Sequence, residues 1–257
     1  YMYNQVHELL SEYKPDVLWC DFSYPGPDGK GKGDWQSEKL VKMIRKVCPD
    51  ILIDNRLDLP GSEDFVTPEQ FQPFAWPTDE KGKRLVWEAC QTFSGSWGYH
   101  RDEMTWKSVK QILWMLVDSV SKGGNLLLNV GPTARGEFDY RAMDRLEGIG
   151  KWMRAHNRSI YGCTASEFTP PPDCRYTQNG KRLYLHVMDW PFGGMHLQGL
   201  AGKVEYAQFL HDASEVGFHD ARGVPAGQAN HGQAPAGCLT VHLPVVKPNA
   251  EIPVVEL

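Results

Sequence analysis

The sequence predicts an α/β chain: part of a (β/α)8, TIM-like barrel followed by a small antiparallel β-sandwich. Three observations carry that reading. From residue 1 to about 160, short apolar runs alternate with helical stripes, the pattern of right-handed βαβ units and a parallel sheet. Each apolar run ends in polar or charged residues, as strands do at the functional face of such a barrel. After about residue 163 the texture changes to polar–apolar alternation with turn signals, which marks antiparallel strands with one wet face.

The elements follow in order. Val6, Leu9, Leu10 and Tyr13 form a helical stripe that Pro15 ends. Val17 to Cys20 is a buried strand. It closes on Asp21, and a Pro/Gly-rich stretch follows at once. Ser37 caps a helix whose face is Leu40, Met43, Ile44 and Val47, broken at Pro49-Asp50. Ile51-Leu52-Ile53 is the second strand and leads into Asp54-Asn55-Arg56. Leu85 to Glu88 is the third. Thr105 caps a long helix carrying Val109, Ile112, Leu113, Leu116, Val117 and Val120, with Gly123-Gly124 at its C-terminus. Leu126 to Val130 is the fourth strand. Met143, Leu146, Ile149, Trp152 and Met153 mark the last helix.

Thr169-Pro170-Pro171-Pro172-Asp173 reads as a boundary. Arg182 to Val187 and Leu239 to Leu243 then alternate, with Asn179-Gly180 as a turn. An open doubly wound sheet is the competing architecture for the first part. No glycine-rich phosphate loop opens a helix, which weakens it.

Bulk properties narrow the function. The 257 residues carry a net charge of -5, with acids and bases mixed. No basic stripe offers a nucleic-acid surface. The longest apolar runs are too short to span a bilayer. Cys20, Cys48, Cys90, Cys163, Cys174 and Cys238 lack zinc-finger spacing. Cys163 and Cys174 are near enough to bridge a loop, but buried free thiols are the reading for most of the six. No HExxH, CxxC or GxSxG motif occurs, so neither metal nor cofactor chemistry is expected. Nine tryptophans fit core packing, or an aromatic cleft that stacks on sugars. Composition alone favours packing.

The acids are the chemical signal. Asp21 and Glu88 end strands that contain a tryptophan, and Arg56 ends the strand between them. Glu63, Asp64 and Glu69 follow Arg56 in a loop. Two carboxylates facing each other across a barrel mouth can hydrolyse a glycoside. Each acid taken alone is also explained as a solvated loop residue or a helix cap.

Several segments together resemble the α-L-fucosidases of glycoside hydrolase family 29. They are "YKPDVLWCD", "ILIDNR", "EDFVTPEQFQP", "VWEACQTFSGSWGYHRDE", "SVKQILWMLVDSVSKGGNLLLNVGPTARGEF" and "LEGIGKWMRAHNRSIYG". The resemblance implies that residues 1–162 are the C-terminal part of the catalytic (β/α)8 barrel and 163–257 the β-sandwich. It implies a retaining exo-α-L-fucosidase acting on fucosylated glycans or fucosides. Asp21 would be the nucleophile and Glu69 the acid/base, with Glu63 as fallback. Trp19, Arg56 and Trp97 would bind the sugar, and Glu88 would order its neighbours.

Only about four barrel strands are legible where eight close a barrel. An upstream segment, a second chain or a homo-oligomer is therefore expected to complete the pocket. The alternative is a non-catalytic fragment, or a structural or glycan-binding subunit. The compartment stays open, with extracellular, periplasmic or lysosomal sites favoured over the cytoplasm.

Overall fold

The computed structural model describes residues 1–21, 29–221 and 234–257. The chain divides into two compact units, Tyr1–Cys90 and Gln91–Leu257. The Pro/Gly-rich stretch after Asp21 lies almost wholly outside the described residues.

The first unit opens with α1 (Met2–Glu8), which runs into a π turn over Leu9–Tyr13. The wider turn interrupts the predicted stripe. Leu10 is fully buried, while Leu9 and Tyr13 face out. Next come β1 (Val17–Leu18), α2 (Lys32–Trp35), α3 (Ser37–Val47), β2 (Leu52–Ile53) and β3 (Glu88–Thr92), the last crossing the division between units. Leu40, Met43 and Ile44 of α3 pack with Leu10, Ile51, Ile53 and Leu57 in one core. Burying each such side chain stabilises the unit by roughly 1.5–3 kcal/mol. Ser37 does not cap α3. Its hydroxyl donates instead to the Leu57 carbonyl at 2.5 Å, and Gln36 in a left-handed conformation occupies the cap position.

β1 pairs with β2 in parallel. The parallel pairing continues through a segment whose sequence predicts a loop. Asp54 bridges Phe65, Val66 bridges Trp87, and Glu69 bridges Cys90. The third strand also lies later than expected, at Glu88–Thr92 rather than 85–88. The run Phe65–Gln70 hid because it holds only two apolar residues and contains Pro68, which has no N–H for a ladder. The ladder uses only the Pro68 carbonyl, which accepts from Cys90 N–H at 2.8 Å.

The second unit contains α4 (Val109–Ser121), β4 (Asn125–Asn129) and α5 (Tyr140–His156), then, among the described residues, eight short strands. Ser108, not Thr105, caps α4, through a reciprocal box with Gln111. Gly123 in the left-handed region (φ 71°) and Gly124 close its C-terminus, donating to Val120 and Ser119 carbonyls.

The remaining strands are β5 (Thr164–Ala165), β6 (Cys174–Asn179), β7 (Arg182–Val187), β8 (Met195–Gln198), β9 (Gln208–Phe209), β10 (Phe218–Asp220), β11 (Cys238–Val241) and β12 (Val254–Glu256). They form antiparallel sheets ordered β5-β6-β7-β12-β9 and β10-β11-β8. Tyr176, Leu185 and Val255 of the first sheet share a core with Leu197, Leu239 and Val241 of the second. This is a β-sandwich.

β7 departs from the expected alternation, because Leu183 through Val187 are all buried. Its other face carries Tyr184, which packs against Leu113 and Val117 of α4 and Trp152 of α5. The two helices thus cover the outside of the large sheet, so the compact unit begins well before the sandwich strands. All six cysteines are free thiols.

Candidate active site

Arg56 organises a cluster in the first unit. Three residues past the end of β2, it donates from Nε to Thr67 Oγ1 at 2.8 Å and from one terminal nitrogen to the Thr67 carbonyl at 3.3 Å. Thr67 Oγ1 passes its own hydrogen to Asn55 Oδ1 at 3.0 Å, which also accepts the Thr67 N–H. The rigid guanidinium fork is thereby fixed in direction.

Its other terminal nitrogen is shared by two acids: Asp21 Oδ1 at 3.0 Å and Glu69 Oε2 at 2.5 Å. The two acceptor oxygens are therefore no more than about 5.5 Å apart. The Arg56 side chain is 13% exposed, against 55% for Asp21 and 40% for Glu69. A sunken cation thus presents two accessible carboxylates.

Glu69 is held by backbone, and Asp21 by its contact with Arg56. Asp21 lies three residues past the end of β1. Glu69 lies between two ladder bonds, Cys90 N–H to Pro68 O at 2.8 Å and Gln70 N–H to Cys90 O at 2.9 Å. Thr67 and Glu69 are two residues apart on one extended segment, so they share a face. The Trp19 ring lies under the guanidinium, 4.3 Å from its carbon, a distance at which cation and ring face attract.

Glu88 is half-buried beside the Trp19 indole N–H. Burial raises its carboxyl above the ordinary range, opposed by the indole N–H of Trp19. That N–H is buried and completes no hydrogen bond of full geometry, so the two groups meet in a near contact.

Asp54, not among the residues the sequence singles out, is fully buried. Burial pushes its carboxyl up to about 6, opposed by N–H groups of Cys20 and Arg56 and by the Arg56 charge, and assisted by Asp21. One of its oxygens has no hydrogen-bond partner. Thr67 and Asn55 were missed as well. Their signal in the sequence is slight: polar neighbours of an arginine and of a Thr-Pro-Glu run.

Arg56 contacts Glu69 rather than Glu63. Asp64, beside Glu63, is structural: it pairs with Arg45 at 2.6 Å and accepts the Ile53 N–H at 2.7 Å. Trp97 lies in the second unit, 40% exposed, on the loop Ser94–Tyr99. That loop is tied down by Glu103, which accepts from Ser96 Oγ and Thr105 Oγ1, both at 2.6 Å. These bonds draw the Glu103 carboxyl down to about 2. Gly131 presses on the same loop. A Cβ there would meet the Gly98 carbonyl carbon at 2.5 Å, so only glycine fits. Among the described residues no group of three or more His, Cys, Asp or Glu is placed to hold a metal ion.

Comparison with known proteins adds a second line. The family model described as alpha-L-fucosidase matches residues 1–158. The tissue alpha-L-fucosidase of Homo sapiens is 29% identical over 206 residues, 74% of this chain and 42% of the relative. That of Bos taurus is 30% identical over 204 residues, 74% of this chain and 41% of the relative. Among solved structures, alpha-L-fucosidase isoenzyme 1 from Paenibacillus thiaminolyticus aligns with a TM-score of 0.87 at 43% identity, over 100% of this chain and 61% of that one. An alpha-fucosidase of Thermotoga maritima in complex with fucose aligns with a TM-score of 0.73 at 27% identity, over 99% and 55%. The chain thus spans less than half the length of these two curated relatives.

Proposed function

This chain belongs to the alpha-L-fucosidase family, and from that premise we propose that it carries the reacting carboxylates of a retaining exo-α-L-fucosidase. In this reading residues 1–162 are the C-terminal part of a (β/α)8 barrel, and residues 163–257 form the supporting sandwich. An upstream segment or a partner chain supplies the remaining strands.

The reaction has two steps. Asp21 attacks C1 of the fucosyl unit as the C1–O bond to the leaving group breaks, and Glu69 gives its proton to the departing oxygen. Glu69 then takes a proton from water, the water oxygen attacks C1, and the Asp21 ester bond breaks. One water is consumed, and fucose leaves with its original anomeric configuration. Arg56 holds both acids in register, while Trp19 gives the sugar an apolar wall.

The single observation that carries this reading is the Arg56 nitrogen shared by Asp21 and Glu69. Asp21 Oδ1 and Glu69 Oε2, no more than about 5.5 Å apart, support direct attack, whereas inverting enzymes leave room for a water between carboxyl groups at roughly 6.5–9.5 Å. The test is proton NMR of an aryl α-L-fucoside digested by the full-length protein. Initial release of α-fucose is expected. Initial release of β-fucose would overturn retention. Fucose binding without release would favour the glycan-binding alternative.

A further inference from the structure

A groove of about 630 Å³ in the first unit is lined by Glu69, Thr67, Pro68, Phe71, Phe74 and Pro77, among others. Its volume is in the range that holds a small ligand. Phe74 is 100% exposed and Phe71 58%. Two bare phenyl rings on one short loop cost hydration free energy, and such patches mark binding surfaces.

The loop is built to hold them still. Gln70 sits at φ 58°, in the left-handed region, which a residue with a side chain adopts only when its surroundings impose it. Its N–H is pinned to the Cys90 carbonyl at 2.9 Å. At the far end, Trp76 donates its indole N–H to the Leu85 carbonyl at 2.8 Å, and Arg84 stacks on the same ring at 4.6 Å. Phe71 and Phe74 are thus carried between two anchors, one of them adjoining Glu69. Anchoring lowers the entropy that a ligand must remove on binding.

The chemistry gives the groove a role. A general acid must lie on the leaving-group side of the bond it cleaves, opposite the nucleophile. Glu69 lines this groove, so what fills the groove is what departs. We propose that the groove is the leaving-group subsite, and that it selects a pyranose presenting its apolar C–H face to Phe71 and Phe74. The inference rests on the reading of Glu69 as acid/base. It goes further by naming the substrate class and the residues that choose it.

The test compares two substrates in the full-length protein. An α-L-fucosyl galactoside would fill the groove; α-L-fucosyl fluoride leaves it empty and needs no proton from the acid. Phe74→Ala is expected to lower kcat/KM for the galactoside about 10-fold, mainly through KM, with the fluoride changed less than about 2-fold. Phe71→Ala should act in the same direction, and Phe74→Trp should restore the galactoside. Equal losses on both substrates, or none on either, would overturn the subsite. A separate arm guards the underlying reading: Glu69→Ala should lower kcat/KM, which reports the first step, far more for the galactoside than for the fluoride, while kcat on the fluoride falls because the second step loses its base. If Glu69→Ala treats the two alike, the acid/base assignment fails first. If the unaltered protein hydrolyses neither substrate, both proposals fall.

Discussion

Two clusters in this molecule use the same charges in opposite arrangements. In the first unit one sunken cation, Arg56, holds two accessible acids, Asp21 and Glu69. In the second, one fully buried acid, Asp118 of α4, is held by two cations that reach the surface. Lys122 contacts it at 2.7 Å and Arg175 of β6 at 2.8 Å, and these side chains are 19% and 25% exposed. Glu256 of β12 repeats the second pattern with Arg158 and Arg182. Where the acid is buried and its cations cover it, the cluster ties a helix to a sheet or closes a sheet edge. Where the cation is buried, the acids are left with free lone pairs toward solvent. The order of burial separates a fastening from the site proposed to react.

The largest effect that would break this comparison concerns Asp21. Asp21→Ala is expected to cut turnover of an aryl α-L-fucoside by about four orders of magnitude, with azide restoring part of it, while the urea midpoint barely moves. Activity near the unaltered level would end the nucleophile assignment. Next comes Glu69→Ala, expected to slow poor leaving groups roughly 10²- to 10⁴-fold and activated aryl fucosides far less. The same pattern in Glu63→Ala would move the acid/base to the neighbouring loop acid.

Asp118→Ala should do the reverse of Asp21→Ala. It removes the acid that Lys122 and Arg175 both contact and is expected to cost about 2–3 kcal/mol of stability, below the figure for a fully buried pair because both cations are partly exposed. The measurement is urea unfolding of the second unit, with kcat/KM of the surviving folded fraction unchanged. Loss of turnover without loss of stability would blur the division drawn above.

The smallest effect is a pH slope. His186 of β7 is fully buried, and its Nε2 bonds to Thr177 Oγ1 at 2.9 Å. The Thr177 hydroxyl donates to the Ser159 carbonyl, so His186 Nε2 is the donor and Nδ1 a bare lone pair. Burial holds this imidazole down to about 3, against about 6.5 unfolded. Between those values the unfolded chain binds the extra proton, so stability rises with pH. The contribution is complete above about pH 6.5 and lost as pH falls toward 3. By pH 5 about 2 kcal/mol is gone. Unfolding measured at pH 7 and pH 5 should show this loss in the unaltered chain and a smaller one in His186→Gln. Equal losses would mean that another group sets the slope.

The chemistry of single residues and the order of elements were legible in the chain. Asp21 and Arg56 stood out because an acid and an arginine after apolar runs need a reason to be there, and Glu69 through the family resemblance of its Thr-Pro-Glu segment. The helices at Leu40–Val47 and Val109–Val120 were legible from periodicity, and the Asn179-Gly180 turn from local backbone chemistry. These are properties of a few neighbouring residues, which sequence order preserves.

What only the tertiary structure decided was long-range. Residues 65–70 join the parallel pairing because Asp54 on one side and Trp87 and Cys90 on the other bridge them, with too few apolar residues to announce it. Ser37 and Thr105 look like caps, but Leu57 and Glu103 claim their hydroxyls. The polar face of β7 is dry because α4 and α5 lie across it. The meeting of Asp21 and Glu69 on one nitrogen depends on Thr67 and Asn55 aiming Arg56. No spacing rule encodes that, because each contact joins residues brought together only when the strands pair.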